Sequence, residues 1–286
     1  MAAKGADNEC IQVVARCRPL NRKELEEKRQ NIIFIDSAVR QVAIKVPDGG
    51  QGGEEMKTFT FDGAYDENTQ QKFFYEESCF NIIESSLEGF NSTIFAYGQT
   101  GCGKSFTMQG PSNAGDDMKG VIPNSFAHIF QFIKASTDVE FLIRCSYLEL
   151  YNEEIRDLLC NPKNQTKCEL KEDAQKGIFV KNLTDVVVES KEDLEAMFDK
   201  GLGNRTVAST LMNSESSRSH SIFTIIIEMT TKDKDTGKEM IRAGKLNLVV
   251  RKRVTQFFFF TLMNLISNRI LLEVSGRRRQ ERRMRL

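Results

Sequence analysis

The residues with the clearest chemical capacity are Gly98-Gln99-Thr100-Gly101-Cys102-Gly103-Lys104-Ser105, which satisfy the pattern G-x-x-x-x-G-K-[ST]. Glycines at this spacing let successive backbone N–H groups curl around an anion. The lysine reaches the β- and γ-phosphate oxygens of a nucleotide, and the serine hydroxyl ligates Mg²⁺. At average composition the pattern arises by chance in roughly one chain in a hundred of this length. The apolar stretch before it and the helical pattern after it make a Gly-rich turn that binds nothing a poor explanation. A phosphate loop alone leaves kinase, GTPase, ATPase and motor open.

Other reactive residues point to no second centre. The seven cysteines (10, 17, 79, 102, 145, 160 and 168) are odd in number and form no C-x-x-C, and His128 and His220 are the only histidines that could join them. A disulfide framework and a zinc site are therefore not expected. His220 has no cysteine or acid at metal-ligand spacing and is assigned no chemical role. The formal charge is zero, from 40 Lys+Arg against 40 Asp+Glu, so the global balance gives no reason to expect a specific nucleic-acid binder or a membrane-surface protein. The polar start, Met1 to Cys10, lacks the apolar core of a secretory signal, and a cytoplasmic, reducing compartment is expected.

The charge is unevenly spread. Residues 250–286 hold ten Lys+Arg and two acids, a surplus of +8 that residues 1–249 offset with −8. Two unlike pieces are expected: one domain over 10–249 and a basic, apolar tail over 250–286.

Several elements must hold the phosphate loop. Ile11 to Arg18 alternates as a half-buried strand stopped by Pro19, with Arg16 and Arg18 on one side of its end. Lys57 to Phe61 reads as a short strand. Gln70 to Glu88 reads as a helix with Phe80, Ile83 and Leu87 inward and Gly89 as its stop. Ser92 to Tyr97 is a strand. Pro123 opens a helix whose inner face is Phe126, Ile129, Phe130 and Ile133. Phe141 to Leu150 is a strand, followed by a short helix capped by Asn152 and carrying Ile155, Leu158 and Leu159. A further helix starts at Ser190, with Asp193 completing a capping box and Leu194, Met197 and Phe198 facing inward. Ser221 to Thr230 and Ala243 to Val249 are strands joined through the turn Asp235-Thr236-Gly237. The alternation predicts an α/β class with a mixed sheet.

The neighbourhood of the loop narrows the choice. Phe95 to Met108, reading FAYGQTGCGKSFTM, strongly resembles the phosphate loop of kinesin motor domains. Arg16-Cys17-Arg18-Pro19, Ser146 to Glu153 (SYLELYNE) and Asn213 to Ser221 (NSESSRSHS) match the same family in the same order. The resemblance covers about residues 10–249, and details around Val14 to Asn21 and Gly101 to Ser105 look most like the branch that drives transport inside cilia. It implies the P-loop motor fold, with a mixed central sheet flanked by helices on both faces. ATP and Mg²⁺ would be the cofactors and microtubules the partner, with a location on the cytoskeleton of the cytoplasm or in the cilium.

The resemblance also implies roles. Gly98, Gln99, Thr100, Gly101, Cys102, Gly103, Lys104, Ser105 and Phe106 would hold the nucleotide, and Arg16, Arg18, Pro19 and Phe90 would border the adenine. Read alone, those last four are a strand end and a core phenylalanine. Ser105 and Ser217 would serve the metal. Ser216 and Ser217 would form the first switch, holding Mg²⁺-bound water and the attacking water, and Arg218 would bind a glutamate of the second switch. Without the family these residues are a polar loop before a strand. The mechanism implied is phosphoryl transfer to water, with Lys104 and Mg²⁺ offsetting phosphate charge.

The family pattern stops at Val249. Lys245 to Val249 matches the strand that leads into Asp-Leu-Ala-Gly-Ser-Glu, the second switch, but Val250-Arg251-Lys252-Arg253 follows instead. The aspartate that orders Mg²⁺ water, the glycine that senses the γ-phosphate and the glutamate for Arg218 are all missing, as are the later elements that carry most of the microtubule-binding surface. The C-terminal part of the domain is therefore expected to be absent and hydrolysis and motility severely reduced, the alternative function being a non-hydrolysing nucleotide-binding or interaction module. In the tail, 16 residues from Phe257 to Leu272, interrupted by Asn264, Asn268 and Arg269, make a poor membrane span. Basic flanks around an apolar core are also the pattern of a segment attracted to anionic surfaces. Val250-Arg251 is what a splice-donor-like GTAAG followed by a purine encodes, so translation into a retained intron is expected. A dominant transcript carrying the same 37 residues as an ordinary exon would defeat that reading.

Overall fold

A computed structural model of the chain describes residues 11–46, 55–111, 115–151, 154–161, 166–173, 177–211, 219–232, 238–250 and 271–275. Its strands are β1 (Val13–Cys17), β2 (Ile33–Asp36), β3 (Gln41–Val46), β4 (Glu55–Thr60), β5 (Gly63–Tyr65), β6 (Asn91–Tyr97), β7 (Val139–Tyr151), β8 (Glu154–Asp157), β9 (Glu169–Asp173), β10 (Gly177–Lys181), β11 (Val186–Val188), β12 (Ser219–Lys232), β13 (Glu239–Val250) and β14 (Leu271–Ser275). Its helices are α1 (Arg22–Glu26), α2 (Gln71–Ser78), α3 (Phe80–Leu87), α4 (Lys104–Met108), α5 (Val121–Ala135) and α6 (Lys191–Leu211).

The main sheet runs β11-β7-β12-β13-β6-β14-β1-β5, with β8 paired to β7. β13, β6, β14, β1 and β5 are mutually parallel, whereas β12 is antiparallel to both of its neighbours. The sheet is mixed, as expected. A separate three-stranded sheet, β2-β3-β4, packs Ile33 and Val42 against Ala15 and Cys17 of β1.

The 3.6-residue spacing of apolar side chains places the helices. Phe74 and Tyr75 of α2, Ile82, Ile83 and Leu87 of α3, Phe126, Ile129 and Phe130 of α5, and Leu194 and Phe198 of α6 join sheet residues such as Ile94, Phe223 and Leu248 in one buried cluster. Within it the Phe126, Tyr147, Phe198 and Phe223 rings contact one another at centroid distances from 5.2 Å to 6.1 Å. Among the described residues the helices with buried side chains gather on this one face of the sheet. On the opposite face Phe95, Leu148, Leu150, Ile222 and Val249 form a second, smaller buried cluster.

Several local expectations change in the fold. β1 is buried on both faces, because it lies inside a parallel sheet and not at a half-solvated edge. The expected helix 70–88 breaks at Cys79, with φ −116°, into α2 and α3. Phe80 then points outward and stacks on His128 at 4.4 Å. The expected helix after Asn152 is strand β8, because Glu154–Asp157 pairs back along β7 from Tyr151 to Leu148. Asp157 then turns the chain by accepting the N–H groups of Leu159, Cys160 and Thr184. The capping box at Ser190 and Asp193 is present: each side chain accepts a backbone N–H from the other residue. Asn152 and the turn at 235–237 lie outside the described residues. β14, which follows the sequence boundary at 249/250, sits inside the sheet built by the earlier strands. No described helix is long and apolar enough to cross a membrane.

Candidate functional site

The site grows from the carboxyl ends of the parallel strands, where an open α/β sheet leaves backbone groups unpaired and helices begin. β6 ends at Tyr97 and the chain turns through Gly98–Gly103 into α4. Gly101 and Gly103 have φ +80° and +103°, a region that costs a side-chain-bearing residue about 1 kcal/mol or more. A Cβ added to Gly101 would meet nothing within 4 Å, so the requirement there is backbone conformation facing open space. Cys102 is fully buried, while Thr100, Gly101, Ser105 and Phe106 are exposed. The loop thus anchors through Cys102 and presents Thr100, Gly101, Ser105 and Phe106 outward.

Lys104 is only 5% exposed. Its ammonium donates to the carbonyls of Gln99 (2.6 Å) and Gly98 (2.8 Å) and lies 3.5 Å from Cys102 Sγ. Among the described residues no carboxylate pairs with it. A buried cation held only by neutral carbonyls retains most of its attraction for an anion, and the exposed Ser105 hydroxyl is the next residue along the chain. The donor set fits a nucleotide phosphate with its divalent cation: backbone N–H groups, one ammonium and one hydroxyl, in a turn made for backbone approach.

Arg16 reaches the same region from β1 but is employed differently. Its guanidinium donates to Gln71 Oε1 (2.6 Å), Thr107 Oγ1 (3.2 Å) and the Thr69 carbonyl (3.0 Å). It also lies 4.7 Å from the Phe74 ring centre and 5.5 Å from that of Phe106. Burial pulls it down to about 10. Arg16 ties β1 to α2 and α4 under the loop, and both of its amino groups are taken. Arg18 makes a two-pronged pair with Glu24 (2.7 and 2.8 Å), which raises its pKa. Glu24 also completes the capping box of α1 with Asn21. Both arginines thus serve as braces in this structure, whereas Pro19 and Phe106 are exposed.

Phe90 is corrected by its place in the fold. It precedes β6, and its carbonyl accepts the N–H of Lys245 (3.3 Å) at the start of the β6–β13 pairing. The seven residues of β6 then separate it from Gly98 by roughly 20 Å. It is 62% exposed at the wrong end of the sheet.

Ser216, Ser217 and Arg218 lie outside the described residues, but the place where their segment rejoins the sheet is clear. β12 starts at Ser219 beside Tyr151, the end of β7, and Ser221 pairs with Val250 beside Ala96. That is the phosphate-loop end. Here Arg205 of α6 donates to Glu149 Oε1 (3.0 Å), Ser219 Oγ (3.0 Å) and Ser221 Oγ (3.1 Å), and Ser219 donates to Glu149. This brace spans both ends of the segment 212–218, and sequence reasoning did not single it out. The available signal was a glutamate inside the apolar run Leu148-Glu149-Leu150, with serines alternating at 219 and 221. His220, between them, is buried.

Similarities to known proteins agree with this geometry. A family profile described as the kinesin motor domain matches residues 16–250. The chain is 45% identical over 249 residues to kinesin-like protein KIF3C of Pongo abelii, Mus musculus and Rattus norvegicus, with 87% of this chain and 31% of each relative covered. It therefore spans about a third of the length of those relatives. A solved structure of a fast kinesin, described with implications for its ATPase mechanism and interactions with microtubules, superposes with a TM-score of 0.75 at 37% identity. The alignment covers 87% of this chain and 67% of that one.

Proposed function

The chain belongs to the kinesin motor-domain family, and on that premise we propose that it binds Mg²⁺-ATP at Gly98–Ser105 on the framework of a microtubule motor. One observation carries the reading: the Lys104 ammonium is buried, bonded to the loop's own carbonyls, and next to an exposed hydroxyl. When bound, Mg²⁺-ATP supplies a γ-phosphoryl group open to attack by water. Lys104 offsets charge on the β- and γ-oxygens, the loop amides orient the phosphates, and Ser105 takes the metal. Ser216 and Ser217 would hold Mg²⁺-bound water and the attacking water. Pro19 and Phe106, exposed at this edge, flank the base. The Arg205–Glu149 brace supports the return of the 212–218 segment.

The acid and glycine of a second switch do not follow Val249 in this sequence, so Arg218 has no glutamate from that motif to meet. Nucleotide binding without efficient turnover is the expected state, and partnership with microtubules and a place on the cytoskeleton or in the cilium belong to the same proposal. A microtubule-stimulated ATPase assay on purified chain tests it. Retained Mg²⁺-ATP binding with negligible turnover supports the reading, and turnover stimulated by microtubules and lost in Lys104→Ala would restore a full motor. Failure to bind Mg²⁺-ATP at all would sink both.

A further inference from the structure

The family match ends at residue 250, yet the sheet is completed by a strand from beyond it. β14 lies between β6 and β1 and is parallel to both: Leu271–Glu273 pairs with Phe95–Tyr97, and Leu271–Ser275 pairs with Val13–Cys17. Among the described residues β14 alone links β1 and β5 to the rest of the main sheet.

With β14 in place the strands on either side of it are not free edges. Ala15, Arg16 and Cys17 of β1 and Phe95 and Ala96 of β6 are all buried. The peptide groups of β1 and β6 that face β14 pair with its ladder, and leaving such buried N–H and carbonyl groups unpaired would be strongly unfavourable. The gap is one strand wide, since adjacent strands are about 4.8 Å apart. A parallel segment of a few residues with its own ladder of N–H and C=O groups fills it, and Leu-Leu-Glu-Val-Ser has no proline to interrupt that ladder. β6 leads into the phosphate loop, and β1 carries Arg16, which holds α4 from below.

We infer that Leu271–Ser275 is the closing strand of the domain, and that the alignment of the phosphate loop with the Arg16 brace depends on it. Residues 250–286 are then not wholly an appendage. The five residues of β14 form a structural part recruited from outside the family's matched span. The Mg²⁺-ATP readout below rests on the function proposed above, whereas the exchange and melting readouts do not.

Hydrogen exchange on the unmodified chain is the first test. Amides of Leu271–Ser275 are expected to be protected to the same order as those of Phe95–Tyr97. Exchange at the free-chain rate at 271–275, with β1 and β6 still protected, would overturn the inference. Leu272→Pro, which removes a ladder donor between two partners, is expected to lower Tm by roughly 10 °C. It should open exchange in β1 and β5 and weaken Mg²⁺-ATP binding, while Leu272→Val keeps all three. An unchanged Tm for Leu272→Pro also overturns it. If that variant is insoluble, exchange on the unmodified chain still decides. Lys104→Ala separates the two readings, because it loses Mg²⁺-ATP while keeping Tm and protection at 271–275; unaltered binding in that variant would count against the proposed nucleotide site and not against the strand.

Discussion

Arg16 and Lys104 are two cations buried to nearly the same extent, at 6% and 5% exposure, within a few residues of one loop, and their partners make them opposites. Arg16 meets an amide oxygen, a hydroxyl and a carbonyl from two separate segments, 69–71 and α4, and lies by two aromatic rings. Lys104 meets two carbonyls from the turn that precedes it. Both amino groups of the guanidinium's planar fork are held by fixed partners, so it works as a structural tie. The ammonium keeps a compact charge beside an exposed turn at Thr100 and Gly101, which suits it to an anion. Burial of a charge does not distinguish a binding residue from a brace; the distribution of its partners does.

Substitutions at the two cations put that contrast to the test, and the largest effect is expected at Lys104. Lys104→Ala should cost Mg²⁺-ATP about 100-fold in affinity, or about 3 kcal/mol, with the unfolding free energy moved by less than about 1 kcal/mol. Calorimetric titration and denaturant unfolding on one preparation measure both. Arg16→Ala should show the reverse, losing about 2–3 kcal/mol of stability as Gln71 Oε1 and the Thr69 carbonyl lose their donor, with affinity changed by less than about 5-fold. Equal loss of affinity in the two variants would erase the distinction. The smallest effect is at the aromatics: Phe106→Ala should weaken binding by about 1 kcal/mol or less through lost contact with the base and with Arg16. Phe90→Ala, at the far end of β6, should leave affinity within about 2-fold in the same titration. A larger loss at Phe90 than at Phe106 would contradict the position assigned to β6.

The phosphate loop was legible because its chemistry is local. Glycines, lysine and serine at fixed offsets dictate a turn, an ammonium and a hydroxyl without help from distant residues. Phe126, Ile129 and Phe130, and the Ser190–Asp193 cap, were legible for the same reason, since each depends on neighbours three or four residues away. The partners of Arg16 were not legible, because residues 69, 71 and 107 come from elements the chain brings together only on folding. The Asn152 helix failed because apolar residues at 155, 158 and 159 suit either period in so short a segment, and pairing with β7 decided it. The Arg205–Glu149–Ser219–Ser221 brace was scattered over two motifs and a helix.

By itself the sequence determined the α/β class, the phosphate loop, its lysine and serine, and the point at which the family pattern gives way, because each is written in short-range spacing or composition. The tertiary structure alone decided which buried cation stays available, which end of β6 carries chemistry, and that five residues beyond the pattern lie at the middle of the sheet. Those outcomes rest on satisfying buried backbone and side-chain polar groups across the whole fold, a condition no local stretch of residues can state.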